Sequence, residues 1–230
     1  MGKCEQCIVR EMSSLKALSK DDLLRLASCK DSYEVKKGDV IFEEGHALNG
    51  VYCVKDGVCK LVKMNAQGKD TILKLVTKGE LLGQRTVFSN EPSNLSAVAV
   101  EDMTICFIPK TELLHFYENN AKFSMEITRD LCGQLREAND FAANHTHKTV
   151  KERLALTLLN LQNINGKDNE GFIKLQLSRE EIANMVGTAT ESCIRLMSEF
   201  KKEKFIELSG KKIKIINEKK LMELGKEFLN

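Results

Sequence analysis

The sequence predicts an α+β chain with three parts in series: an N-terminal double-sheet β-roll, a long helix, and a C-terminal winged helix-turn-helix. Three observations predict it. Short apolar runs bounded by glycines recur between residues 30 and 110, the signature of a small antiparallel double sheet. An unbroken helical rhythm follows from about Ala121 to Thr146. Residues 178 to 200 then read as two short helices around Gly187, with a hairpin pattern behind them. With 230 residues, 42% of them hydrophobic, and only two prolines, the chain is long enough for more than one core. The expected division is a β-roll with an N-terminal cysteine segment over 1–120, a helix over 121–147, and a helix-turn-helix domain over 148–230.

The β-roll is read from Val35-Lys-Lys-Gly38-Asp-Val-Ile-Phe-Glu-Glu-Gly45, Gly50-Val-Tyr-Cys-Val-Lys-Asp-Gly57-Val-Cys-Lys-Leu-Val, Gly68-Lys-Asp-Thr-Ile-Leu-Lys-Leu-Val, Gly79-Glu-Leu-Leu-Gly83, Ser96-Ala-Val-Ala-Val and Met103-Thr-Ile-Cys-Phe-Ile108. Residues 111 to 119 predict a short helix before the long one. Along the long helix Leu131, Leu135, Ala138 and Ala142 keep a 4-3-4 rhythm, a seam suited to a second copy of the same helix. Ile127, Cys132 and Phe141 form a second stripe that would pack on the chain's own β-roll. His145 and His147 read as polar helix-end residues.

In the C-terminal part Ser178 is a good N-cap, and Glu181 three residues on completes a capping box. Ile182, Met185 and Val186 share an apolar stripe. Gly187 can take φ > 0, so a second helix can start at Thr188 or Thr190. There Cys193, Leu196, Met197 and Phe200 should pack inward, leaving Thr190, Glu191, Ile194 and Arg195 outward. An arginine can donate two hydrogen bonds to guanine, and a carboxylate can accept from cytosine, so the outward row suits a DNA major groove containing G·C pairs. An ordinary surface salt bridge on an αα-hairpin is the competing reading. Phe205 to Ile216 alternates apolar and polar residues about Ser209-Gly210, which adds a wing. Lys201, Lys202, Lys204, Lys211, Lys212 and Lys214 gather at that end. Residues 148–230 carry 16 Lys and Arg against 12 Asp and Glu, whereas the rest carries 19 against 21, so the overall +2 conceals a polarised chain.

No apolar run approaches a membrane span, and Met1-Gly-Lys-Cys-Glu-Gln-Cys7 lacks a signal-peptide core, so a cytoplasmic protein without membrane partners is expected. Eight cysteines there point to thiols or metal ligands rather than disulfides. The four histidines, His46, His115, His145 and His147, are too dispersed for a metal centre in the β-roll, and no phosphate-cradling loop appears, so an enzyme is not expected.

In chain order, Gly38-Asp-Val-Ile-Phe-Glu-Glu-Gly45, Val51-Tyr-Cys-Val-Lys-Asp-Gly57, Gly79-Glu-Leu-Leu-Gly83, the long helix, Lys151-Glu-Arg-Leu-Ala155, and Leu177-Ser-Arg-Glu-Glu-Ile-Ala183 leading into Thr190-Glu-Ser-Cys-Ile-Arg195 resemble the CRP/FNR superfamily of bacterial transcription regulators. The resemblance implies a homodimer in which a cyclic-nucleotide-binding-type β-roll senses a signal and the long helix relays it to the winged helix-turn-helix. It also implies a two-fold symmetric DNA operator and RNA polymerase as partners. Glu191 and Arg195 match the family's base-reading positions, while Thr190 and Ile194 depart from the residues that well-known members use beside them. The candidate DNA contacts are Ser178, Arg179, Thr188, Thr190, Glu191, Ile194, Arg195, Lys211 and Lys212.

For the signal, members that bind cyclic AMP carry a Gly-Glu pair and an Arg-Ser/Thr-Ala stretch. The matching places here read Gly83-Gln84 and Leu95-Ser96-Ala97, without the phosphate arginine, and Arg85 is the nearest substitute. A buried phosphodiester needs such a cation, so tight cyclic-AMP binding is not expected. The effector-pocket candidates are Gly83, Gln84, Arg85, Ser96 and Ala97. Oxygen-sensing members hold an iron–sulfur cluster, and Cys4, Cys7 and Cys106 match three of their ligand places. Position 13 is serine, which leaves Cys29 as the fourth candidate. Zinc, a redox disulfide and plain structural thiols stand beside the cluster as alternatives. Cys53 and Cys59 read as small core hydrophobes, Cys132 as helix packing and Cys193 as helix-turn-helix core.

Overall fold

The computed structural model describes residues 7–64, 68 and 70–226. The chain divides into two compact units, the first ending at Ala138 and the second beginning at Asn139, with residues 70–72 grouped with the second.

Among the described residues, two 3-10 turns, Ile8–Met12 and Ser14–Ala17, and helix α1 (Lys20–Cys29) precede the sheets of the first unit, and the strand-and-glycine reading anticipated none of them. A reciprocal capping box starts α1: Asp22 N–H donates to Ser19 Oγ, and Ser19 N–H donates to Asp22 Oδ2, both at 3.1 Å. Strands β1 (Asp31–Val35), β2 (Val40–Phe42), β3 (Gly50–Asp56), β4 (Cys59–Met64), β5 (Asp70–Val76) and β6 (Leu81–Leu82) follow. After helix α2 (Gln84–Ser89) come β7 (Ser96–Ala99) and β8 (Met103–Pro109). They form two four-stranded sheets, ordered β1-β8-β3-β6 and β2-β7-β4-β5, which is the expected double-sheet roll.

Because side chains alternate along a strand, each sheet has two faces with different tasks. Val54, Met103 and Ile105 meet Phe42, Cys59, Ala97 and Ala99 between the sheets. Val51, Cys53, Cys106 and Ile108 point the other way, into a second core shared with Leu23 and Leu26 of α1, Leu113 and Phe116 of α3 (Lys110–Asn119), and Phe123 and Ile127 of the long helix α4 (Ala121–His147). The buried apolar residues of α4 belong to its first two turns. Leu131 still packs on that core, whereas Leu135 is 63% exposed and Ala138 and Ala142 are exposed too. Cys132, expected to pack, is also exposed, because it falls on the side of α4 turned away from the roll.

In the second unit α5 (Val150–Asn165) starts from the Thr149–Glu152 capping box, directly after the end of α4. Helix α6 (Arg179–Val186) packs on α5 and α7 (Thr190–Lys202) packs on α6, with Leu154, Leu158, Ile182, Val186, Met197 and Phe200 all buried. Strands β9 (Ile206–Ser209) and β10 (Lys212–Ile215) form the hairpin, with Ser209 opposite Lys212, and α8 (Glu218–Lys226) packs back on α5. Gly210, the first residue of the two-residue hairpin loop, has φ +58°, a conformation that glycine adopts without cost.

Candidate nucleic-acid interface

The two helices of the DNA-reading candidate are joined as the sequence suggested. The Ser178 hydroxyl accepts from Glu181 N–H at 3.1 Å while Ser178 N–H donates to Glu181 at 2.9 Å, so this side chain fixes the start of α6. Gly187 leaves α6 in the left-handed region at φ +69°, and its N–H donates back to Ala183 O. A Cβ there would lie 2.9 Å from the His145 ring, so the position is closed to larger residues on two counts.

His145 is therefore more than a polar helix end. Its ring lies tilted against the Phe141 ring with centroids 4.0 Å apart, Nδ1 meets Phe141 O at 2.9 Å, and Nε2 is buried with no partner among the described residues. Arg153, which drew no attention as a functional candidate, fastens the same turn: Nε donates to Val186 O at 2.7 Å, Nη2 to Gly187 O at 3.3 Å and Nη1 to Lys148 O at 2.6 Å. Lys151 ties α5 to Glu199 of α7, and this bond is the main reason the Glu199 carboxyl sits below its usual pKa.

On α7 itself Cys193, Met197 and Phe200 are buried, while Glu191 and Arg195 are exposed and Ile194 is 45% exposed. Thr190 and Thr188 are half-buried beside them. Among the described residues none makes a hydrogen bond or ion pair to the side chain of Glu191 or Arg195, so the surface salt bridge considered as the competing reading does not form. An arginine and a carboxylate one turn apart on the exposed face of a rigid helix can offer both donors and acceptors to base edges.

Two of the candidate cations are differently placed. The half-buried Arg179 donates from Nη2 to Gly210 O at 2.8 Å, tying α6 to the hairpin loop, and burial lowers its pKa. Lys212 turns to Asp168 and Glu170, at 3.7 and 3.6 Å, and lies over the Phe172 ring at 5.5 Å. Those carboxylates lie in the loop after α5, more than forty residues upstream, so the lysine count overstated the cations the hairpin leaves unpaired. Lys211, at the loop, is exposed.

Of the effector-pocket candidates, Gly83, Gln84 and Arg85 line a cavity of about 120 Å³ together with Lys74, Glu80, Thr86, Ser93 and Gln134. Ser96 and Ala97 do not line it: the Ser96 hydroxyl accepts from Glu44 N–H at 2.9 Å, and Ala97 is buried between the sheets. Arg85 points to Glu91 at 2.8 Å and to Pro92 O at 3.1 Å. The cation that the sequence reading missed is Lys74, held by Glu80 at 2.7 Å and by Glu137 of α4 at 2.8 Å, with these carboxylates keeping its pKa raised against the opposing effect of burial.

Comparison with known proteins agrees with this geometry. Residues 33–120 match the model of the cyclic nucleotide-binding domain, and residues 152–224 match that of the Crp-like helix-turn-helix domain. The chain belongs to the CRP/FNR family of transcription regulators. The fumarate and nitrate reduction regulatory protein of Vibrio cholerae is 26% identical over 227 residues, covering 96% of this chain and 90% of its own. The transcriptional activator protein anr of Pseudomonas aeruginosa is also 26% identical, covering 96% and 92%. FixK2 from Bradyrhizobium japonicum superposes with a TM-score of 0.76 at 23% identity, over 85% of this chain and 96% of its own, and so shares the fold. The relatives are regulators rather than enzymes, and the function of this CRP/FNR-family chain is DNA-binding transcription regulation.

The thiols of this regulator are distributed unevenly. Cys7, Cys53 and Cys106 line one cavity of about 30 Å³, and Cys29 packs on the surrounding core with its thiol donating to Leu26 O at 3.5 Å. Cys4 lies outside the described residues. As expected, Cys59 and Cys193 are core residues, and burial pushes their thiols up to about 12 and about 11. Cys53, read as a small core hydrophobe, is buried too, and its place beside Cys106 is what the sequence reading missed. Among the described residues no helix is long and apolar enough to cross a membrane.

Proposed function

We propose that two copies of this chain join along α4, through Leu135, Ala138 and Ala142, and read a two-fold symmetric duplex operator with one α7 in each half-site. In this reading residues 1–120 receive a signal, 121–147 dimerise and 148–230 bind DNA, in the cytoplasm and in partnership with RNA polymerase. Glu191, Ile194 and Arg195 contact base edges, with Thr190 and Thr188 at the start of the reading helix. Lys211 contacts phosphate, while Ser178, Arg179 and Arg153 hold the reading helix and hairpin in place. The observation that carries the proposal is the exposed Glu191/Arg195 row, neither side chain hydrogen-bonded or ion-paired among the described residues, on a helix whose opposite face is buried.

The signal is not cyclic AMP in this reading. The cavity that would take it holds Lys74 between two carboxylates and has Arg85 engaged with Glu91, so an incoming phosphate would have to break an ion pair to gain one. Of the iron–sulfur set implied by the resemblance, Cys7 and Cys106 line one cavity and Cys29 packs on the core around it, while Cys4 lies outside the described residues. Among the described residues no three His, Cys, Asp or Glu side chains converge to hold a metal ion.

The test is fluorescence anisotropy of the full chain on a duplex selected from a random pool, intact or with one half-site scrambled. The expected result is binding at least 100-fold tighter to the intact duplex, falling steeply with salt. Equal affinity for both duplexes would contradict the two-helix reading.

A further inference from the structure

The cavity of about 120 Å³ in the β-roll is walled in part by polar groups that the protein leaves open. Gln84 and Thr86, both on α2, line it and are only 3% and 5% exposed. Among the described residues neither side chain makes a hydrogen bond, and the same holds for Gln134 of α4, half-buried on the same wall. Buried amides and hydroxyls are normally paired, so groups left open on a cavity wall await water or a complementary molecule. The charged part of the wall is already satisfied, because Lys74 lies between Glu80 at 2.7 Å and Glu137 at 2.8 Å.

We infer, taking residues 1–120 as the sensor proposed above, that this cavity receives a small uncharged ring compound with a carboxamide or lactam edge. Charge is selected against in both senses. An anion would have to draw Lys74 away from Glu80 and Glu137, and a cation would have to displace Lys74 from the same carboxylates. An uncharged guest leaves that group intact. A primary amide such as that of Gln84 offers two N–H donors and a carbonyl acceptor, so a carboxamide or lactam can pair with it through two antiparallel hydrogen bonds. The Thr86 hydroxyl and the Gln134 amide add further donors and acceptors, while the buried Phe42, Val76 and Leu82 offer apolar contact to a ring. A water molecule needs roughly 10–15 Å³ of such space, so the cavity has room for a guest of roughly ten non-hydrogen atoms.

Geometry selects Gln84 and Thr86 over their neighbours. Ser93 lines the same cavity and is as deeply buried, but its hydroxyl already donates to Leu95 O at 2.7 Å. The Arg85 guanidinium is turned to Glu91 at 2.8 Å and to Pro92 O at 3.1 Å. Gln84 and Thr86 belong to the short helix α2 and Gln134 to the long helix α4, so a guest bonded to both helices would bear on α4 directly beside Leu135.

The experiment uses the full chain and ligand-observed saturation-transfer NMR with matched probes. These are nicotinamide, its anionic counterpart nicotinate and the cationic 1-methylnicotinamide, with uracil and orotate as a second uncharged and anionic pair. The expected result is saturable binding of nicotinamide or uracil, roughly tenfold or more tighter than that of its charged counterparts. Gln84→Leu should weaken that binding roughly tenfold, and Thr86→Val, which removes a hydroxyl at nearly constant volume, serves should the first variant fold poorly. No saturable binding of either uncharged probe, as for a cavity filled by water alone, would overturn the proposal. So would equal or tighter binding of nicotinate or orotate, or binding that both variants leave unchanged. A probe that binds through Gln84 yet leaves duplex affinity by fluorescence anisotropy unaltered would uphold the ligand class and contradict the sensor reading instead.

Discussion

The reading face of α7 and the cavity of the β-roll are both lined by charged residues, yet they treat those charges oppositely. Glu191 and Arg195 stand exposed, and among the described residues nothing in the protein hydrogen-bonds to either side chain. In the cavity Lys74 is shared by Glu80 and Glu137, and Arg85 is taken by Glu91. The difference comes from what each region must do before a partner arrives. Groups proposed to meet base edges cost little while water solvates them, whereas the half-buried Lys74 would be costly without a partner, so the cavity supplies it with anions, and the exposed Arg85–Glu91 pair adds little to that. One region is organised for an external polyanion and the other has neutralised itself.

The comparison extends to α4, where Leu135, Ala138 and Ala142 are exposed as the reading row is. Leu135→Glu would place like charges on facing helices at the proposed seam, and about 3 kcal/mol of repulsion and desolvation is expected, roughly 100-fold in the dimer dissociation constant. Sedimentation equilibrium checks it, and unchanged self-association would remove α4 from the dimer. Next in size is Arg153→Ala, which abandons three backbone carbonyls around the turn between α6 and α7. A loss of about 2 kcal/mol in unfolding free energy is expected from denaturant titration, with weaker DNA binding as the turn loosens.

Smaller effects separate the cations from one another. Lys211→Ala should weaken binding to every duplex alike and reduce the slope of log affinity against log salt by about one. Lys212→Ala should change that slope less, because Lys212 already neighbours Asp168 and Glu170. Equal slopes for the two variants would show that the loop carboxylates release Lys212 when DNA arrives. The smallest expected effect is none: cyclic AMP at millimolar concentration should leave the melting temperature where it was, since a ligand that binds the folded state raises it. A saturable rise would mean that the ion pairs at Lys74 open for a phosphate.

Much of the fold could be read directly because its signals are local. The Ser178–Glu181 capping box, the glycine at 187 and the 4-3-4 rhythm of α4 each lie within a few residues, and glycine-bounded apolar runs marked the two sheets. The same logic was available for α1, whose Ser19–Asp22 box is a start signal of the same kind, but the strand-and-glycine pattern begins only at residue 30, after it. Helix α2 is only six residues long and begins at a left-handed Gly83, too short for a period to show.

What remained illegible depends on distant partners. Lys74 and Glu137 are 63 residues apart, Arg25 and Glu112 are 87 apart, and nothing in either neighbourhood announces the other. Cys53 and Cys106 fall in the same class. Each looked like an ordinary strand residue, and only the β3–β8 register brings them opposite one another. Arg179 and Lys212 were legible as cations near the reading helix, but the Gly210 carbonyl and the loop carboxylates that engage them were not.

The most direct test of the outward reading row is selection of bound sequences from a random duplex pool by the wild-type chain and by Arg195→Ala. The account predicts that the variant loses its preference for guanine at one position of each half-site, by about 1–3 kcal/mol or roughly 10- to 100-fold, and keeps its preferences elsewhere. Identical selected sequences for the two proteins would contradict it, because an arginine that reads a base cannot be removed without altering what is read.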